Sequence, residues 1–175
     1  LQTRSGYWCC FWLSFGVVLW MDVVWRGSVL RVCASRGGTR WTIRTGAADI
    51  ACHGIASGNG LCVAVADSGS GDCDMASPDG TTWTIRTSAS DNAWHAITYG
   101  HCLFVALAHT GTGNLSMTSP YGTTWITRTS AADNAWFAIT YRTSPILVGA
   151  STGPGERFLT RPHATTQRIF PSAAH

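Results

Sequence analysis

From Asn92 onward the chain passes through four short segments separated by turn residues: WHAITY (Trp94 to Tyr99), LFVALA (Leu103 to Ala108), LSMTS (Leu115 to Ser119) and TTWITRT (Thr123 to Thr129). Each is too short for a typical helix and the right length for a strand. Between them lie GHC, HTGTGN and PYG, whose glycines supply the positive backbone angles that tight hairpins require. LFVALA is apolar at every position, as expected of a strand covered on both faces. The segment Trp83-Thr84-Ile85-Arg86 alternates instead, setting Trp83 and Ile85 on one face and Thr84 and Arg86 on the other. The pattern predicts four antiparallel strands, the last with an arginine facing outward.

This unit repeats. Trp41, Trp83 and Trp125 are spaced 42 residues apart, and the same offset superposes Arg44, Arg86 and Arg128, and Asp49, Asp91 and Asp133. Between Ala76 to Tyr99 and Thr118 to Tyr141, 18 of 24 positions are identical, which composition alone does not produce. Gly27, Gly69, Gly111 and Gly153 share one position, whereas the fourth tryptophan position holds Gln167. Four copies fill the chain, at about 8–45, 50–87, 92–129 and 134–171, and the outer two are degenerate. Four strands in this period is the signature of a β-propeller blade, so the expected fold is an all-β propeller segment forming a single domain, or part of a longer one.

Composition narrows the reading. Charged residues make up 12% and apolar ones 45%, which favours a packed, turn-rich body over disorder. All twelve cations are arginines, and the net charge of +3 is too dispersed to suggest nucleic acid as a partner. The seven cysteines contain no CxxC pair, so neither a zinc ribbon nor a dithiol site is expected. Cys52 stands where later copies have Trp94 and Trp136, and Cys62 stands where Phe104 does, which marks both as small core hydrophobes. His53 and His95 share a position with Phe137, which favours packed rings over metal ligands. No metal or cofactor is expected. Tyr7 to Trp25 is apolar and long enough to span a membrane, yet the repeat register carries Cys10 onto Cys52 and Leu19 onto Leu61. A decayed first blade is the favoured reading of that segment, with a membrane or signal-like segment as the alternative.

Ser77-Pro78-Asp79-Gly80-Thr81-Thr82-Trp83 resembles the Asp-box, or bacterial neuraminidase repeat, found on the hairpin between the third and fourth strands of sialidase-type propellers. The second copy, Ser119 to Trp125, keeps Gly122 and Thr124 but carries Tyr121 in place of the aspartate, and Asp79 lies one residue closer to Trp83 than in the usual motif. The resemblance implies that Ser77, Asp79, Gly80, Thr82 and Trp83, with Ser119, Gly122, Thr124 and Trp125, build the hairpin. It is similar to SPDG-x-TW repeats of exported bacterial and phage-associated propellers, which implies an extracellular or cell-surface setting. Sialidases of this type use an arginine triad, a tyrosine nucleophile with a glutamate partner, and an acidic acid/base. This chain has one glutamate, Glu156, and its aligned arginines fall around the rim. The expectation is a non-catalytic binding or structural module with a glycan or protein partner; the alternative is a remnant of a sialidase-like glycoside hydrolase. Incomplete blade number would favour self-association.

In an up-and-down blade, the loop leading into the first strand and the loop from second to third strand emerge on one face. That face collects Asp49, Asp91, Asn92, His109, Asn114, Asp133 and Asn134, the candidate ligand-binding residues, together with Asp67 and Asp72. The competing reading is that Asp91 and Asp133 cap turns.

Overall fold

The computed structural model describes residues 7–12, 18–22, 31–34, 42–48, 50–68, 71–111, 114–130, 133–141, 146–152, 158–161 and 168–170, with side chains described within 46–141 and at 148 and 149. The described residues are all-β. The second copy folds as β5 (Cys52–Gly58), β6 (Leu61–Ala66), β7 (Asp74–Ser77) and β8 (Thr84–Arg86), and the third as β9 (Trp94–Gly100), β10 (Leu103–Ala108), β11 (Ser116–Ser119) and β12 (Ile126–Arg128). The fourth gives β13 (Ala135–Tyr141), β14 (Ile146–Thr152), β15 (Phe158–Arg161) and β16 (Arg168–Phe170). Each is a four-stranded antiparallel sheet with strands paired in chain order. The first copy forms two separate pairs, β1 (Tyr7–Trp12) with β2 (Val18–Asp22), and β3 (Arg31–Ala34) with β4 (Thr42–Thr45). The apolar segment at 7–25 therefore contains strands. Among the described residues no helix is long and apolar enough to cross a membrane.

Strands two and three of the second and third blades carry the core. Val63, Ala64, Val65 and Ala66 in β6 and Ala106 and Ala108 in β10 are fully buried, since sheets cover both of their faces. One apolar cluster crosses the seams between sheets, joining Val63 and Val65 to Trp94, Phe104, Trp125 and Trp136. Phe104 packs at 4.6 Å from the Tyr99 ring and 6.5 Å from that of Trp125. Aromatic pairs of this kind contribute about 0.5–1.5 kcal/mol beyond area burial. Ala96 and Thr98 on β9 are buried, whereas their counterparts on β13, Ala138 and Thr140, are exposed.

Two features differ from the expectation. The fourth strand is shorter than Thr123 to Thr129: Thr118 pairs with Ile126, so Pro120 to Trp125 is consumed by the connection and Trp125 packs from the turn. The glycine of GHC is also not the left-handed residue. Those positions are His101 (φ 49°) and Cys102 (φ 57°), matching Asn59 (φ 50°) and Gly60 (φ 73°) in the preceding blade. Gly100 is needed for space instead. A Cβ there would lie 2.2 Å from the Tyr141 ring, as one on Gly58 would lie 2.1 Å from that of Tyr99. The second and third blades thus each end their first strand on a glycine that receives the tyrosine of the next blade.

Candidate functional site

Both sets of loops that the repeat assigns to one face meet there. Asp67 N–H donates to the Ala51 carbonyl (3.0 Å) and His109 N–H to the Ala93 carbonyl (3.1 Å), a bond repeated one copy apart. A second repeated bond runs the other way, from Ala51 N–H to Ser68 Oγ (2.8 Å) and from Ala93 N–H to Thr110 Oγ1 (3.3 Å). These pairs tie the loop before each first strand to the loop after each second strand.

The candidate binding residues distribute unevenly over this face. Asp91 is exposed, and its Oδ1 accepts from Gly71 N–H. Asn92 Nδ2 donates to the Asn114 carbonyl at 2.6 Å. Asp133 is exposed and Asn134 is 2% exposed, both at the following seam, and Asp49 lies outside the described residues. The structure therefore brings together Asp91, Asn92 and Asn114, with His109 in a neighbouring ring cluster.

That cluster is the feature that single positions in the sequence do not reveal. His53 and His95 stack at 4.7 Å between ring centroids. His95 meets His109 edge-on at 5.3 Å and Phe137 at 4.9 Å, and His109 stacks on Phe137 at 5.1 Å. Three blades thus touch through aromatic rings at one repeat position, and Asp67 binds His53 Nε2 at 2.7 Å. The 42-residue offset contains the signal: it superposes Asp67 on His109, so His53 with Asp67 and His95 with His109 are one pair met twice. Burial, reinforced by the neighbouring His53 and His109, pushes the His95 imidazole down to about 4. The Nδ1 atoms of His95 and His109 are buried without a hydrogen-bond partner. No group of three ligating side chains among the described residues is arranged to hold a metal ion.

The opposite end of the strands holds the hairpins. Ser77 Oγ accepts from Gly80 N–H (2.8 Å) and donates to Asp79 Oδ1 (3.0 Å). Asp79 Oδ1 also accepts from Thr81 N–H (2.8 Å) and Thr82 N–H (2.9 Å), and Thr81 Oγ1 donates to Oδ2 at 2.5 Å. These donors, the Thr81 hydroxyl first, hold the Asp79 carboxyl well below the usual carboxylate range. In the next copy Ser119 Oγ still accepts from Gly122 N–H (2.8 Å), while Tyr121 projects into solvent. Thr82 and Thr124 are exposed, and Trp83 and Trp125 are buried. Gly122 (φ 68°) sits where a Cβ would come within 2.6 Å of Val63, so this hairpin buttresses the preceding blade.

One buried polar group joins two blades. Asp74 is fully buried, its Oδ2 accepts from Trp125 Nε1 across the seam at 2.7 Å, and its Oδ1 accepts from Ser88 Oγ at 3.0 Å. Burial raises the Asp74 carboxyl to about 6 against the opposing pull of those donors and of Arg86. One copy earlier in the chain, Trp83 corresponds to Trp125 and Val32 to Asp74. Valine offers no acceptor, and Trp83 Nε1 is buried without a partner. Arg86 and Arg128 lie on separate outer strands, and Arg128 Nε donates to Thr118 Oγ1 at 3.0 Å.

No known family profile matches the chain, and no curated protein matches it. Solved structures do. YCF48 from Cyanidioschyzon merolae superposes with a TM-score of 0.66 at 12% identity, over 99% of this chain and 58% of its own. A structure described as YCF48 bound to D1 peptide superposes with a TM-score of 0.59 at 14% identity, over 95% of this chain and 53% of its own. The chain spans a little over half the length of these structures. At such identities the likeness shows the fold, and that fold, in agreement with the four-stranded antiparallel sheets, is a β-propeller.

Proposed function

We propose that this chain is a non-catalytic propeller module that docks an extended, cationic segment of a protein on its loop face. The observation that carries the reading is charge placement. Asp67, Asp72, Asp91 and Asp133 fall on that face, Asp49 joins them by repeat register, and the whole chain has nine acidic residues. None of the twelve arginines falls within 67–73, 88–93, 109–115 or 130–134. By the same register Arg26 and Arg157 fall in the corresponding loops of the outer copies, so it is the loops of the second and third blades that present a negative face in a chain of net charge +3, and such a face steers and selects positively charged partners. The half-buried histidine and phenylalanine rings beside it offer flat surface for aliphatic and guanidinium groups. A structure of the same fold is described as YCF48 bound to D1 peptide, which supports a peptide occupant. The hairpins at the other end, including the Asp-box-like turn at Ser77 to Trp83, take the scaffolding part.

The test is binding of a fluorescein-labelled oligoarginine peptide to the full chain, with the Asp67→Asn, Asp91→Asn, Asp133→Asn triple variant as comparison. Asparagine keeps an acceptor oxygen for Gly71 N–H and removes the charge. The expected result is binding that weakens at least tenfold in the variant and falls with added salt. Equal binding by both proteins overturns the reading. Turnover of a fluorogenic sialoside that an active-site inhibitor abolishes would favour the glycosidase alternative, and retention on a neutral glycan would favour a sugar partner.

A further inference from the structure

We propose that this docking face is gated by protons: acidification charges His95 at the centre of its ring cluster with His53, His109 and Phe137, parts the blade tips that stack through it, and releases a cationic partner. The release step rests on the docking reading; the parting step rests on the ring geometry alone. His95 is the centre of the cluster. It faces His53 from β5, Phe137 from β13, and His109 at the end of its own blade, with Asp67 beyond β6 as the one carboxylate acting on it. Asp67 is already engaged by His53 Nε2 at 2.7 Å.

A proton on His95 would therefore sit between an imidazole and a phenyl ring, with Nδ1 buried and no acceptor in reach. The strands have little room to relax around it. A methyl group on Gly54 would come within 2.9 Å of the His95 carbonyl oxygen, so β5 and β9 are in close backbone contact beside the stack. Charging a second histidine would set like charges about 5 Å apart. Relief comes from separating the tips, which exposes the imidazole to water.

The direction follows from linkage. His95 takes a proton less readily in the closed form, held down to about 4, than in an opened one, where it regains its ordinary value of 6.5. The closed form is fully favoured above pH 6.5 and loses ground by up to about tenfold per pH unit as the pH falls toward about 4. The same protons turn the face from acidic toward neutral, so geometry and charge both act against a cationic ligand.

The experiment is an NMR titration of the histidine ring protons in the full chain. It is read alongside protection factors, corrected for intrinsic exchange, at residues 93–96 and oligoarginine affinity at constant ionic strength. The expected result is a His95 ring that titrates near pH 4, protection that falls up to about tenfold per unit below pH 6.5, and affinity that falls with it. His95→Phe, which supplies the side chain found at Phe137, is expected to flatten both slopes. A His95 that titrates near 6.5 with unchanged protection overturns the gate, and the wild-type titration decides this even if the variant fails to fold. Protection that opens with acid while the peptide binds at no pH overturns the docking reading and leaves the gate standing.

Discussion

The second and third blades share the same strand plan and lie side by side, yet they solve the same structural problems with different residues. At the inner hairpin, the second blade uses Asn59-Gly60 for two left-handed residues, whereas the third forces His101 and Cys102 into the same angles. At the seam, the third blade's Trp125 finds Asp74 as its acceptor, while the second blade's Trp83 looks back to a valine position and keeps an orphaned indole N–H. On the outer strands, Arg128 binds the Thr118 hydroxyl, whereas the second blade has Ala76 in place of that threonine and Arg86 Nε is buried without a partner. The scaffold tolerates such losses because burial across the seams does most of the stabilising. Hydrogen bonds add smaller increments.

The two blades agree most closely at the glycines that end their first strands. Gly100→Ala and Gly58→Ala each place a methyl group inside a tyrosine ring, so both are expected to cost about 3 kcal/mol in chemical denaturation, as overpacked cores do. Similar costs at both sites would show that the seams are equivalent, and a negligible cost at either would refute the close approach.

Next comes the tryptophan pair. Trp125→Phe strips a buried carboxylate of its donor and is expected to lose about 2 kcal/mol more than Trp83→Phe, which removes a donor that satisfies nothing. Equal losses would remove the Asp74 bond from the account. Asp74 also sets a pH slope. Its carboxyl lies at about 6 when folded and at 3.8 ordinarily, so its share of stability is fully present below 3.8 and is lost as the pH rises through 6. The size of that loss is about 1.4 kcal/mol per unit within the window. Asp74→Asn should flatten this slope, which runs opposite to the one expected from His95. The smallest effect is a repair: His101→Asn with Cys102→Gly, copying the second blade, is expected to add about 1 kcal/mol by removing left-handed strain.

Much of the architecture was legible in the sequence, because the strands are short, the 42-residue offset runs without insertion or deletion and the apolar second strands are unambiguous. β10 lies where the pattern put it, and β9 runs one residue further. Periodicity could not show what crosses a seam. Asp74 sits in a run that reads as an ordinary strand, and its partner is 51 residues away, a separation that no single repeat contains. Gly100 looked like a turn glycine because its neighbours His101 and Cys102 are poor left-handed residues, and the space demanded by Tyr141 is invisible in the local pattern. On the loop face, the aspartates stood out by repetition. The ring cluster did not, because it joins residues inside three first strands, His53, His95 and Phe137, to His109, which follows a second strand.

The proposed docking divides the labour between the two ends of the strands, with binding at the loops and construction at the hairpins. Hydrogen-exchange footprinting of the full chain with and without the oligoarginine peptide at pH 7.5 tests it most directly. Added protection is expected in 67–68, 71–73, 89–93 and 109–111, and none in 77–83 or 119–125. Protection confined to the hairpins, around Asp79 and Tyr121, would contradict it.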